Sequence, residues 1–273
     1  MEGIENAQIG PSEENAALLL IERLRNPQIK AQLITLYEEA YAARARDAEP
    51  IVRPKRDPAT GEDLRDTEGA YIMETVLYTP PSREEIERMI DERIEEISTS
   101  TSIGYLEENV VPNNEVINLN WKIPWTGKSP TNEQWSTIEG HEKGHNVRQY
   151  GQVDISEYFK SLFLNAFDVG SMEFNDEWYE ILKKSNPEAT REDVEKGFYA
   201  TLTDPMELTE RMSQLKNYFG MKGNEQFTRE HLEYARAHYV SDTGYDNLMT
   251  PFFQGITPEK ERYFLELMNT AGI

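Results

Sequence analysis

The sequence predicts a mainly α fold of the α+β class: a helical N-terminal arm, a small sheet, a helix carrying His141-Glu142-Lys143-Gly144-His145, and a C-terminal helical half. Three observations carry that expectation. Apolar residues recur at three- and four-residue intervals over most of the chain. Strand-like runs are confined to two short stretches, 70–79 and 114–121. One interval rich in Pro, Gly and charge, 46–69, divides the helical start from the rest and predicts two parts, an arm with its linker over 1–69 and a larger domain over 70–273.

Composition narrows the function classes before any motif is read. Lys and Arg number 28 against 50 Asp and Glu, a formal net charge of -22. A surface that acidic repels phosphate backbones and anionic membrane faces, so neither nucleic acid nor membrane is expected as a partner. With 0 Cys, disulfides, thiolate nucleophiles and Cys-ligated zinc are excluded, and any metal must be held by His and carboxylates. The start of the chain carries no basic stretch ahead of a long apolar run, so a cytoplasmic location is expected.

In chain order, residues 12–45 read as helix through Leu18, Leu19, Ile21, Leu24, Ile29, Leu33, Leu36, Tyr37 and Tyr41, with Pro27 interrupting them. The arm is expected to be two helices or one kinked helix, a surface on which a protein partner could dock. Residues 46–69 lack periodicity and read as a linker or long exposed loop. A strand is expected over 70–79, then an acidic helix over 82–97 after Pro80 and Pro81. Residues 114–121 read as an edge strand. Thr131 and Gln134 have the spacing of a capping box, which starts a helix running to about Arg148. From 155 onward the chain is mostly helical by period, with breaks expected near Asn186-Pro187, Thr203-Asp204-Pro205, Gly220 to Gly223, and Thr250-Pro251.

The chemistry concentrates on the helix that follows the capping box. Residues four apart on a helix lie about 40° apart around its axis, so His141 and His145 point to one side and can share an ion. Glu142 lies about 100° from His141, beside the ion rather than on it, where a general base belongs. The bland alternative is an amphipathic turn whose histidines only cap or pack. Gly140 and Gly144 each cost about 1 kcal/mol relative to Ala in a helix, which predicts close packing of another element there.

Two imidazoles leave a zinc site one ligand short. The acidic candidates downstream are Asp154, Asp168, Glu173, Glu207 and Glu210. In the segment 203–220, Leu208, Met212, Leu215 and Phe219 form an apolar stripe facing the core. Glu207 stands about 110° from the stripe's centre and can reach inward, whereas Glu210, about 170° away, is expected in solvent. Asp204-Pro205-Met206-Glu207 also fits an N-cap with a third-position acid, so periodicity leaves Glu207 between ligand and cap. His231 and His238 share a helix face, and either could donate to an oxyanion, His238 being the better placed. Residues 242–247 read as a loop with two acids and an amide.

The HEKGH string resembles the zinc-binding helix of the zincin metallopeptidases, and the expected strand 114–121 is similar to their substrate-aligning edge strand. The metzincin branch is excluded, since Arg148 and Gly151 stand where it carries Gly and His. Pro205-x-Glu207-Leu208-x-x-Arg211 resembles the third-ligand helix of gluzincin-type zincins encoded by tailed bacteriophages. The resemblance implies a zincin-like core over 70–273, Zn2+ held by His141, His145 and Glu207, and Arg211 steadying Glu207. It further implies hydrolysis of a peptide or protein substrate through metal-bound water activated by Glu142. Lys143 and Glu139 depart from the family, which carries uncharged residues there. The alternative reading is a zincin-like structural or interaction protein with weak or no activity, a virion or assembly component. A phage origin would place either in the host cytoplasm or the virion.

Overall fold

Two asparagines set up the first helices. In the computed structural model, which describes residues 10–99, 130–150, 153–154, 160–174, 176, 179–180, 183, 187–223, 225–244, 246, 248–270 and 273, the Asn15 side chain accepts from the Leu18 N–H and opens α1 (Ala16–Arg25). Asn26 ends α1 and immediately caps α2 (Pro27–Asp47), accepting from the Gln28 and Ile29 N–H groups. Pro27 at the first position of α2 gives up no hydrogen bond, because first-turn N–H groups have no partner in the helix. The expected interruption is therefore two helices hinged on one residue. In α3 (Arg83–Thr99), Ile86, Ile90, Ile94 and Ile97 recur every three or four residues and form its buried stripe against α1 and α2.

The interval 46–69, expected as linker or loop, is partly ordered as sheet. Its start completes α2, and β1 (Ile51–Pro54) pairs antiparallel with β2 (Met73–Val76), Ile51 opposite Val76 and Pro54 opposite Met73. Beyond that ladder Lys55 N donates to Ile72 O, Leu64 N to Lys55 O, and Ile72 N to Leu64 O, closing a small β protrusion. Local periodicity could not show this, since each strand's partner lies some twenty residues away. The protrusion leaves Ile51, Val52, Tyr71, Ile72, Met73 and Leu77 exposed. The expected edge strand 114–121 lies outside the described residues.

The capping box forms as expected: Thr131 N donates to Gln134 Oε1 at 2.9 Å, and Gln134 N donates to Thr131 Oγ1 at 3.3 Å. It starts α4 (Asn132–Arg148), after which β3 (Gln149–Tyr150) turns back on β4 (Val153–Asp154). The C-terminal half comprises α5 (Lys160–Ala166), α6 (Arg191–Thr203), α7 (Pro205–Tyr218), α8 (Arg229–Thr243), α9 (Met249–Gly255) and α10 (Glu261–Thr270). Asp204 separates α6 from α7 and caps α7 through the Met206 N–H. Gly220 and Gly223 take left-handed φ values of 67° and 72° in the turn after α7. Thr250 and Pro251, expected to break a helix, instead lie in the first turn of α9, where a missing N–H goes unnoticed.

Helix α7 is the axis of the molecule. Every residue from Leu208 to Tyr218 is buried, because α1, α4, α5 and α6 all pack on it. The helices of the expected arm share this core. Leu20, Leu24, Leu33 and Tyr37 belong to the same apolar cluster as Leu208, Leu215 and Phe252, Ala16 N donates to Ser136 Oγ, and Tyr37 donates to the Val147 carbonyl. Among the described residues no helix is long and apolar enough to cross a membrane.

Candidate metal centre

Helix α7 carries two stripes rather than one. Leu208, Met212, Leu215 and Phe219 form the expected apolar face. Glu207, Glu210, Arg211, Gln214 and Asn217 span an arc of about 120° on another side; Arg211 pairs with Glu207, and the contacts of the other four run to α4 and α1. This second stripe corrects the expectation for Glu210. Its exposure is 0% and it pairs with buried Arg148 of α4. Solvent was the wrong surrounding because the face opposite the apolar stripe is itself covered by helices.

That pair also explains a glycine. A Cβ at Gly144 would collide with the Glu210 carboxylate and lie 2.9 Å from Arg148 Nη1, and one at Gly140 would stand 3.2 Å from both the Ala16 backbone and Asn217 Nδ2. The small residues in the HEKGH turn thus admit α7 and α1, as their helix-propensity cost suggested. The charged departures answer each other: Lys143 Nζ lies 2.7 Å from Glu139 Oε1, one turn back on the same helix.

With α4 and α7 so pressed together, three candidate ligands converge. His141 Nε2 and His145 Nε2 stand 3.1 Å apart, and the Glu207 carboxylate reaches each at 3.5 Å. These groups are close enough to hold one metal ion. Glu207 does not cap α7; Arg211 Nη1 donates to its Oε2 at 2.7 Å. On the far side of the first imidazole, His141 Nδ1 lies 3.1 Å from Gln214 Oε1. Gln214 also lines a cavity of about 340 Å³ bounded by residues 11–16, the start of α4 and the ends of α7 and α8.

The electrostatics of the cluster favour a cation. Burial works against ionising Glu207, but hydrogen bonds with His141 and His145 and the charges of His141 and Arg211 hold its carboxyl well below the usual range. Burial likewise opposes a charged His145, yet Glu207, Glu210 and Glu142 together raise its pKa. Glu142, next to both histidines, is raised above an ordinary glutamate by burial against their opposing charges, with Glu207 and Glu210 reinforcing the rise.

The remaining candidates lie in other settings. Asp168 caps a short 3-10 turn through Gly170 N and Ser171 Oγ, Glu173 is exposed, and the Asp154 side chain lies outside the described residues. His231 serves α8: its Nδ1 accepts from the Thr228 N–H at 3.0 Å. His238 is exposed, its ring tilted by 39° against that of Tyr234 with centroids 4.5 Å apart. Of the residues 242–247, Asp242 lies in the last turn of α8 and accepts from the Tyr218 hydroxyl, and Asp246 accepts from Thr250 N in the first turn of α9. Sequence reasoning missed Gln214, although its spacing of seven from Glu207 places it on the same stripe. The Arg148–Glu210 pair had no such signal, since it joins two helices 62 residues apart.

The site is thus a His-His-Glu centre built across two helices. No family model, curated protein or solved structure matches the chain.

Proposed function

We propose that the protein is a zinc-dependent peptidase of the gluzincin kind, with Zn2+ held by His141, His145 and Glu207. The observation that carries this reading is the convergence of those three groups with Glu142 beside them. Ligand atoms around a four-coordinate zinc with bonds of about 2.0–2.1 Å stand roughly 3.3 Å apart, and the separations of 3.1 and 3.5 Å bracket that value. Two imidazoles and a carboxylate are also a donor set zinc accepts, leaving a fourth position open. Zinc there supplies Lewis acidity, polarising a carbonyl and making water more acidic. Glu142 would supply the base: its carboxylate, beside both histidines, would take a proton from water as the oxygen attacks the scissile carbonyl and pass it to the departing amine. Arg211 holds the Glu207 carboxylate in place.

Metal content and cleavage of a quenched fluorescent peptide library test this together. Wild type is expected to carry one zinc per chain, and His145→Ala and Glu207→Ala to lose it. Glu142→Gln should keep the zinc while turnover falls by about 10²–10⁴. Absence of stoichiometric zinc in wild type refutes the reading. The second reading, a zincin-like structural or assembly component, is favoured by the exposed apolar residues of the β protrusion. A wild type that holds zinc yet cleaves nothing in the library would select it.

A further inference from the structure

We infer that Gln214 is the positioning residue of the centre: its side-chain carbonyl accepts the Nδ1–H of His141, fixing the imidazole tautomer and turning Nε2 to the metal. This rests on the metal-binding part of the proposed function and on no assumption about peptide cleavage. The bond spans 3.1 Å between two buried side chains, Gln214 at 2% and His141 at 4% exposure. A carbonyl oxygen has no proton to give, so the imidazole nitrogen facing it carries one. A neutral imidazole protonated at Nδ1 presents a bare lone pair at Nε2, the atom that faces His145 and Glu207.

Geometry ties the two roles to one element. Seven residues of helix turn the chain by about 700°, so Gln214 projects within about 20° of Glu207, nearly two turns further along. Helix α7 therefore provides the third ligand from its first turn and the aim of the first ligand from its third. The Arg148–Glu210 pair and the close approach at Gly140 and Gly144 hold that helix against α4. A structural filler would not look like this. Among the described residues Gln214 Nε2 is buried with no hydrogen-bond partner, a burden of roughly 1–3 kcal/mol that an apolar side chain would avoid. The amide is neutral, which suits a site already crowded by Glu142, Glu207 and Glu210.

The test uses the full chain. In metal-free wild type with 15N-labelled histidine, imidazole NMR at pH 8 is expected to show a proton on His141 Nδ1. Zinc affinity is then measured by competition with a chromophoric chelator in wild type, His145→Ala, Gln214→Leu, Gln214→Met and Gln214→Glu. Alanine is avoided because the adjoining cavity would let water take over the bond. The apolar variants should bind zinc about 10- to 100-fold more weakly with unchanged thermal unfolding of the metal-free chain. Gln214→Glu, which keeps an acceptor, should stay within a few fold of wild type. A His141 Nδ1 that carries no proton, or an apolar variant that folds and binds zinc within twofold of wild type, overturns the inference alone. Zinc held no more tightly by wild type than by His145→Ala overturns the metal reading and the inference with it. Two apolar variants guard against one failing to fold, and the tautomer needs no variant.

Discussion

Replacing Gly144 with Ala sets two opposed effects against each other, and the sign of the outcome says which one governs the site. Helix propensity alone predicts a gain of about 1 kcal/mol, because Gly144 lies inside α4 with an ordinary helical backbone. Packing predicts the reverse. The new methyl group would occupy the space of the Glu210 carboxylate and crowd Arg148 Nη1 at 2.9 Å, and both partners are buried, at 0% and 1% exposure. Disrupting a buried pair of this kind costs about 3–5 kcal/mol. Subtracting the propensity gain leaves a net loss of roughly 2–4 kcal/mol. Urea unfolding of the two proteins, followed by circular dichroism and by Trp fluorescence, measures it directly. Gly140→Ala is the internal control, since its methyl group would meet neighbours at 3.2 Å and need displace them only slightly; its loss should be clearly the smaller. A Gly144→Ala protein as stable as wild type, or more stable, would refute the argument that this glycine exists to admit Glu210.

Two further outcomes are expected. Burial, with Arg23 and Arg148 close by, pushes the Lys216 ammonium from 10.5 down to about 7. Between those values the unfolded chain binds the extra proton, so the burden of burying the charge is complete below pH 7 and stability climbs as pH rises from about 7 towards 10, at no more than about 1.4 kcal/mol per pH unit. Lys216→Met should lose that part of the slope; a change in unfolding free energy between pH 7 and pH 9, from urea titrations, that is the same in wild type and Lys216→Met would contradict the assignment. Asn26→Ala removes the cap of α2, whose side chain accepts from Gln28 N at 2.9 Å, and should lower stability by about 0.5–2 kcal/mol. Thermal unfolding unchanged within error would show that Pro27 alone suffices to start that helix.

How much of this was legible beforehand depends on the range of the interaction. Thr131, Gln134 and the spacing of His141 and His145 act within a turn or two, so the start of α4 and the pairing of its imidazoles could be read from the chain. Asn26-Pro27 and Asp204-Pro205 marked helix boundaries for the same reason. Pro251 misled because a proline breaks a helix interior but suits a first turn, and which of these it occupies depends on where Met249 begins the helix. Residues 46–69 looked unstructured because four residues of β1 have meaning only beside β2.

Glu210 and Gln214 show the limit most plainly. A helical wheel sorts Leu208, Met212, Leu215 and Phe219 onto one face, and it infers solvent for the opposite side. In the folded chain that side meets α4 and α1, so a polar stripe becomes a hydrogen-bonded interface and a glutamate becomes half of a buried pair. By itself the sequence determined the local geometry: which segments coil, where they cap, and which histidines share a side. Only the tertiary structure decided which acid faces those histidines and what stands behind them, because those contacts join helices more than 60 residues apart and arise from packing, which no local period encodes.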